Sequence, residues 1–192
     1  RSSDMLDLAT IRRDSEVEAI MEMSEKQIEA LGFTEHSRRH AGIVSKWSGE
    51  ILRALGKTEE RVRLAEIAGY LHDIGNCINR KDHAQSGAIL SYKILTRLGM
   101  SAPDAAEIMM AIGNHDEQYG QPVSDVSSAL IIADKADVHK SRVKNAVSDV
   151  FKANIHDRVN LAAERSFVKV EEDGKGRSYL FVCVSAFVRP GT

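Results

Sequence analysis

The sequence predicts a mainly α protein, a helical bundle followed by a C-terminal β-hairpin. Three observations point there. Proline is scarce, with only Pro103, Pro122 and Pro190 in 192 residues, so little interrupts long helices. Apolar residues recur in steps of three and four from Val17 to Ala133. At Ser166 the pattern changes to β-rich runs around a Gly-rich turn.

Ser15-Glu-Val-Glu18 has the form of a capping box, in which hydroxyl and carboxylate satisfy each other's amides. Val17, Ile20, Met21, Ile28 and Leu31 follow at helical spacing, and Gly32 stops the helix. A second helix runs from near Ser37 to Leu55-Gly56, with Val44, Trp47, Ile51 and Leu55 as its stripe; His40 continues that stripe one turn earlier. A third starts after Thr58, carries Leu64, Ile67, Ala68 and Leu71, and ends in His72-Asp73-Ile74-Gly75. A fourth begins near Asp82 with His83, Gly87, Leu90, Ile94 and Leu98 on one side, and stops at Gly99. Ser101-Ala-Pro-Asp104 is a start signal for a fifth, whose Ala105, Ile108 and Ile112 lead to His115. Gly120-Gln-Pro122 marks a loop before a sixth helix holding Val126, Leu130, Ile131 and Ala133, with Asp134 beside them. Further helix is expected from Arg142 to about Arg165. Phe167-Val-Lys-Val170 and the run Ser178 to Ser185 read as strands around Asp173-Gly-Lys-Gly176. A lone hairpin is marginal in water, so this one is expected to dock on the bundle or on a partner chain. The organisation expected is a helical unit over residues 1–165 and the hairpin over 166–192.

Composition bounds the function. With 26 Lys+Arg against 28 Asp+Glu, the net charge of −2 excludes a strongly basic nucleic-acid binder. No aromatic-basic array for single strands and no Gly-rich phosphate loop is present. Two cysteines, Cys77 and Cys183, make no disulfide framework and suit a reducing compartment. No apolar run approaches the ~20 residues of a membrane span, and Arg1 to Met5 lacks the apolar segment of a signal peptide. A cytoplasmic protein is expected.

Five of these elements place metal-competent residues on or beside an apolar stripe: His40, His72-Asp73, His83, His115 and Asp134. Burying such groups is costly unless they are paired, hydrogen-bonded or bound to metal. Imidazole and carboxylate together suit divalent Fe, Mn, Zn or Mg, and bundle cores build such sites from facing helices. Adjacent residues on a helix differ by about 100°, so His72 and Asp73 converge only at a helix end, which Gly75 supplies. The two oxygens of Asp73 allow it to bridge two ions.

His40, His72-Asp73 and Asp134, with Tyr70-Leu-His-Asp-Ile-Gly75 at their centre, resemble the HD superfamily of metal-dependent phosphohydrolases over about residues 36–142. Val44 and Leu55-Gly56 stand at the family's offsets from His40, not from His36. His83-Ala-Gln-Ser-Gly-Ala88 and Ile112-Gly-Asn-His115 are similar to the extra histidines of the dinuclear branches, the symmetrical diadenosine tetraphosphate hydrolases and the HD-GYP cyclic-di-GMP phosphodiesterases. The resemblance implies an HD-domain bundle with His40, His72, Asp73 and Asp134 around one ion and Asp73, His83 and His115 around a second. It departs from the HD-GYP branch at Asn114 and Gly120-Gln-Pro122, and from the diadenosine branch around Ala133-Asp134-Lys135, so it does not name the substrate.

The implied activity is cleavage of a phosphate ester or anhydride, in a nucleotide or another small phosphorylated molecule, by metal-activated water, with Asp73 and His72 at the catalytic centre. Arg80, Lys81, Lys135 and Arg142 are the candidate cations for a phosphate. His36 and Asp137 are candidates to hydrogen-bond the ligands from behind. Two other readings stay open: a nucleotide-sensing module that keeps the fold, and a di-iron oxygenase on the same scaffold. A homodimer is compatible with all three.

Overall fold

A computed structural model of the chain describes residues 6–31, 38–116, 118–139, 159–160, 162–175 and 177–186. These form seven α-helices, a short 3-10 turn and an antiparallel hairpin: α1 (Leu8–Arg12), α2 (Ser15–Ala30), α3 (Arg38–Ala54), α4 (Glu59–Leu71), the 3-10 turn (Ile74–Cys77), α5 (His83–Arg97), α6 (Ala102–Gly113), α7 (Asp125–Ala136), β1 (Ala163–Glu172) and β2 (Ser178–Ala186). None of the helices is long and apolar enough to cross a membrane.

Polar side chains start the helices. Ser101, Ser124 and Thr58 accept from the amides of Asp104, Ser127 and Arg61, satisfying donors that the helix leaves without partners. For α2 the cap is Asp14, which accepts from the Val17 amide, one residue before the expected Ser15. The stripes then bury as a core. Val17, Met21, Val44, Ile51, Leu64, Ile67, Leu71, Ile94, Ile108, Ile112 and Leu130 belong to one cluster. Leu52 replaces the expected Leu55, which is 42% exposed past the end of α3.

Helix α3 packs on α4 and α7, α5 on α6, and α4 on both α6 and α7. Gly69 permits a close backbone approach of α4 to α3: a Cβ there would stand 2.7 Å from the Ser45 Cα. β1 lies against α3 and α7, and Val168 and Leu180 rest on the core. The strand pairing reaches back to Ala163, opposite Ala186, so residues 163–165 are strand and not the end of a helix. The rest of the helix expected from Arg142 lies outside the described residues, apart from a short helical stretch at 159–160 and 162.

Arg61 ties three helices together. Its guanidinium donates to Asp125 at the start of α7 and, at 2.8 Å, to Glu107 of α6. Burial alone would raise the Asp125 carboxyl, but hydrogen bonds from Arg61 and Lys57 hold it below its ordinary value. A depressed native pKa means that this contribution is fully present above the unfolded value of about 3.9 and fades as pH falls through the native one. Asp125→Asn is therefore expected to cost about 1 kcal/mol at neutral pH and to flatten the loss of stability below about pH 4. Denaturant melts across pH check this; an acid limb unchanged by the substitution would refute it.

Candidate metal centre

The centre is built where α4 stops. His72 follows the last helical residue, and the chain leaves the α4 axis at Asp73 to enter the 3-10 turn. This break lets neighbouring side chains converge. The turn is pinned from both sides: Ser24 of α2 donates to the Ile74 carbonyl at 3.0 Å, and Asn76 Nδ2 donates to the Asp73 carbonyl at 3.0 Å. Gly75 lets α5 come in against the turn, since a Cβ there would sit 2.0 Å from the His83 carbonyl oxygen.

Four imidazoles enter from α3, the end of α4, the start of α5 and the end of α6, each no more than 3% exposed. Each is oriented through Nδ1. His72 donates to the Gly69 carbonyl at 2.8 Å, His83 to that of Arg80 at 3.0 Å, and His115 to that of Ile112 at 2.7 Å. His40 donates instead to Asp137 Oδ2, 2.7 Å away. With those protons committed, the Nε2 lone pairs are left to face the interior.

The two carboxylates stand among those nitrogens. Asp134 Oδ1 is 3.1 Å from His40 Nε2 and 3.6 Å from His72 Nε2. Asp73 divides its oxygens: Oδ2 is 3.4 Å from His72 Nε2 and 3.9 Å from His40 Nε2, while Oδ1 is 3.3 Å from His83 Nε2 and 3.9 Å from His115 Nε2. Donor atoms of His40, His72 and Asp134 lie within 4.8 Å of one another, as do those of His72, Asp73 and His115.

Three features fit cations at this place. His72 Nε2 is buried and has no hydrogen-bond partner. His83 and His115 point Nε2 at each other across 3.2 Å although both Nδ1 protons are already given to carbonyls. Neutral rings would then oppose two lone pairs, whereas nitrogens about 2.1 Å from one shared ion stand about 3–3.4 Å apart. Charge agrees: burial alone would push the His72 imidazole down, but Asp73 and Asp134 outweigh it and raise it to about 10, so the carboxylates demand a positive charge. For His115, burial and the neighbouring His72 act together and lower it to about 4. Burial works against the Asp134 carboxylate too, yet the adjacent imidazoles of His40 and His72 hold it well below its ordinary value. Two adjoining His/Asp clusters, with Asp73 facing imidazoles on both sides, have the makeup of a dinuclear divalent metal site.

Residues 33–142 match the HD domain family, a stretch that spans all six of these residues. The chain belongs to the HD domain family. Among relatives of this HD domain is an uncharacterized protein of Methanocaldococcus jannaschii, 24% identical over an alignment of 152 residues that covers 68% of this chain and 58% of that protein. The chain thus spans less than two thirds of that curated relative. The crystal structure of a predicted HD superfamily hydrolase from an uncultured Thermotogales bacterium has a similar fold, with 22% identity, a TM-score of 0.52, and coverage of 81% of this chain and 89% of that one.

The remaining candidates sit at differing distances from the HD centre. Arg80 brings Nη1 to 3.7 Å from Asp73 Oδ1. Lys135 pairs with Asp134 Oδ2 at 2.8 Å and is 47% exposed. Lys81 is exposed, and its backbone amide bonds to Asn79 Oδ1. Asp137 is buried behind His40, where Arg39 also reaches its Oδ2 at 3.5 Å. His36 and Arg142 lie outside the described residues. Two residues near the centre carried no signal in the periodicity. Asn76 is fully buried beneath Asp73, and Asp116 places Oδ2 3.7 Å from His83 Nδ1. Asp116 could have been noticed as the acid directly after His115; nothing in the sequence marks Asn76.

Proposed function

We propose that this HD domain is a metal-dependent phosphohydrolase that cleaves a phosphate ester or anhydride in a nucleotide or another small phosphorylated molecule. The observation that carries the reading is the division of Asp73, with one oxygen toward the His40–His72 pair and the other toward the His83–His115 pair. In this reading His40, His72, Asp73 and Asp134 hold one ion, and Asp73, His83 and His115 hold the other. When bound, two divalent ions supply a water of lowered pKa and an electrophilic seat for phosphoryl oxygens. The chain supplies the rest. The Nδ1 hydrogen bonds fix each ring's tautomer and direction, so no side chain needs to reorganise during turnover. Burial of His72 and Asp73 keeps bulk water from weakening those fields. Arg80 at the rim offers positive charge to a phosphate, whereas Lys135 is engaged by Asp134.

Protein purified without chelators is expected to carry about two divalent ions per chain, as a site of this class requires. It should release phosphate from, or cleave, at least one member of a panel of nucleotides, sugar phosphates and nitrophenyl phosphate esters. Chelation should abolish the activity and Mn, Fe, Zn or Mg should restore it. A chain that binds none of these metals, or that binds them and cleaves nothing across the panel, would count against the reading.

A further inference from the structure

Between the Asp73 turn and α5, the loop 76–82 holds a polar arrangement that the six metal-competent residues do not explain. Asn76 is fully buried, and both ends of its carboxamide are used. Nδ2 donates to the Asp73 carbonyl at 3.0 Å, which leaves Oδ1 to accept from Arg80 Nη1 at 3.4 Å. That is the single hydrogen bond of the Arg80 side chain among the described residues. The side chain is one-third exposed, and Nη1 lies 3.7 Å from the oxygen that Asp73 turns toward His83 and His115.

A carboxamide orients a guanidinium without cancelling its charge. Lys135 is held differently, with its ammonium neutralised by Asp134 at 2.8 Å. Arg80 stands at 3.7 Å from Asp73 Oδ1, outside hydrogen-bond distance. An arginine has five donors in a planar fork suited to phosphate oxygens. Arg80 thus combines an orienting carboxamide, partial exposure and, among the described residues, unused donors at the mouth of the Asp73–His83–His115 cluster, its ion pair with Asp73 being longer than the one that holds Lys135.

We propose that Arg80 is the residue that grips the phosphoryl group and that Asn76 is the positioning residue that aims it. The inference rests on the phosphohydrolase reading and deepens it by naming what holds the substrate's anion. The loop also separates the two roles of residue 80. Its main-chain carbonyl orients His83, whereas its side chain faces the anion. Removing the side chain leaves the carbonyl in place, so phosphate binding and metal binding should come apart.

The test uses the full metal-loaded chain and inorganic phosphate as the probe, with affinity measured by calorimetry and metal content by elemental analysis. Arg80→Ala is expected to keep the wild-type metal content and to bind phosphate about 10–100-fold more weakly, the loss of a charge-assisted hydrogen bond. Arg80→Lys should recover only part of this, because an ammonium lacks the fork. Asn76→Ala, compared at equal metal content because Asn76 also holds the Asp73 carbonyl, should weaken phosphate binding in the wild-type background but add little in the Arg80→Ala background, where no guanidinium is left to aim. Equal phosphate affinity in wild type and Arg80→Ala, or no phosphate binding by the metal-loaded wild type, would overturn the proposal. Additive losses from the two substitutions would overturn the role given to Asn76. Failure of the phosphohydrolase reading shows in wild type alone, as a chain without metal or without turnover. Failure of this inference shows in the phosphate-binding measurements.

Discussion

Asp73→Ala is expected to empty both halves of the centre and to lower hydrolysis by roughly three orders of magnitude or more, because one side chain serves both ions. No other described residue turns one carboxylate oxygen to the His40–His72 pair and the other to the His83–His115 pair. His115→Ala removes a donor from the second cluster alone and should leave the His40, His72 and Asp134 donors intact. Elemental analysis of the two variants therefore makes a sharp comparison: near-complete loss in the first, loss of about one ion in the second. Equal metal content in the two would show that Asp73 is not a bridge. Asp73 is also flanked by a fully buried His72, so circular dichroism should accompany the metal assay to verify that the alanine variant remains folded.

The second large effect is steric. A Cβ on Gly75 would lie 2.0 Å from the His83 carbonyl, 2.5 Å from the Gly87 amide and 2.6 Å from Ser86 Oγ. Two of those three atoms are backbone, so α5 must shift. Gly75→Ala is expected to cost about 3 kcal/mol or more, or roughly 6–12 °C in Tm for a chain of this size. It should also displace His83 and weaken the second ion. Gly113→Ala is the control, because its Cβ would meet Ala88 at an ordinary 3.6 Å. Similar melting temperatures for the two variants would refute the close-approach argument.

Much of this centre was legible because a buried polar residue at helical spacing stands out against an apolar stripe. His40, His83 and Asp134 lie on α3, α5 and α7, whose periodicity is regular. The His-Asp pair stands out for another reason, since two neighbouring side chains can meet only where a helix ends. What stayed hidden lies where no period exists. Asn76 sits in the 3-10 turn and Arg80, legible only as a candidate cation, in the irregular loop after it, and their geometry depends on a turn fixed by Ser24, fifty residues before Ile74. Short or ambiguous signals also slipped. Helix α1 has five residues, too few to show a stripe. Asp14 and Ser15 are both good caps, and local preference does not choose between them. Ala163-Glu-Arg165 is helix-forming by composition, yet pairing with β2 draws it into the strand.

The way the rings are held has a consequence for how this sequence tolerates change. Three of the four imidazoles lean on a carbonyl three residues back in their own chain. Such a brace is present whatever side chain occupies that position, so drift at residues 80 and 112 leaves it standing. His40 leans on the carboxylate of Asp137, nearly a hundred residues away, and the chain just past Asp137 is tied to the hairpin by the Val138 amide on Ser166 Oγ. One half of the centre is thus insulated from substitution, while the other is exposed to it through a distant acid and a strand. Variation accumulating in this lineage would be felt first at the ion beside His40, which makes that half the natural place for descendants to diverge in metal preference.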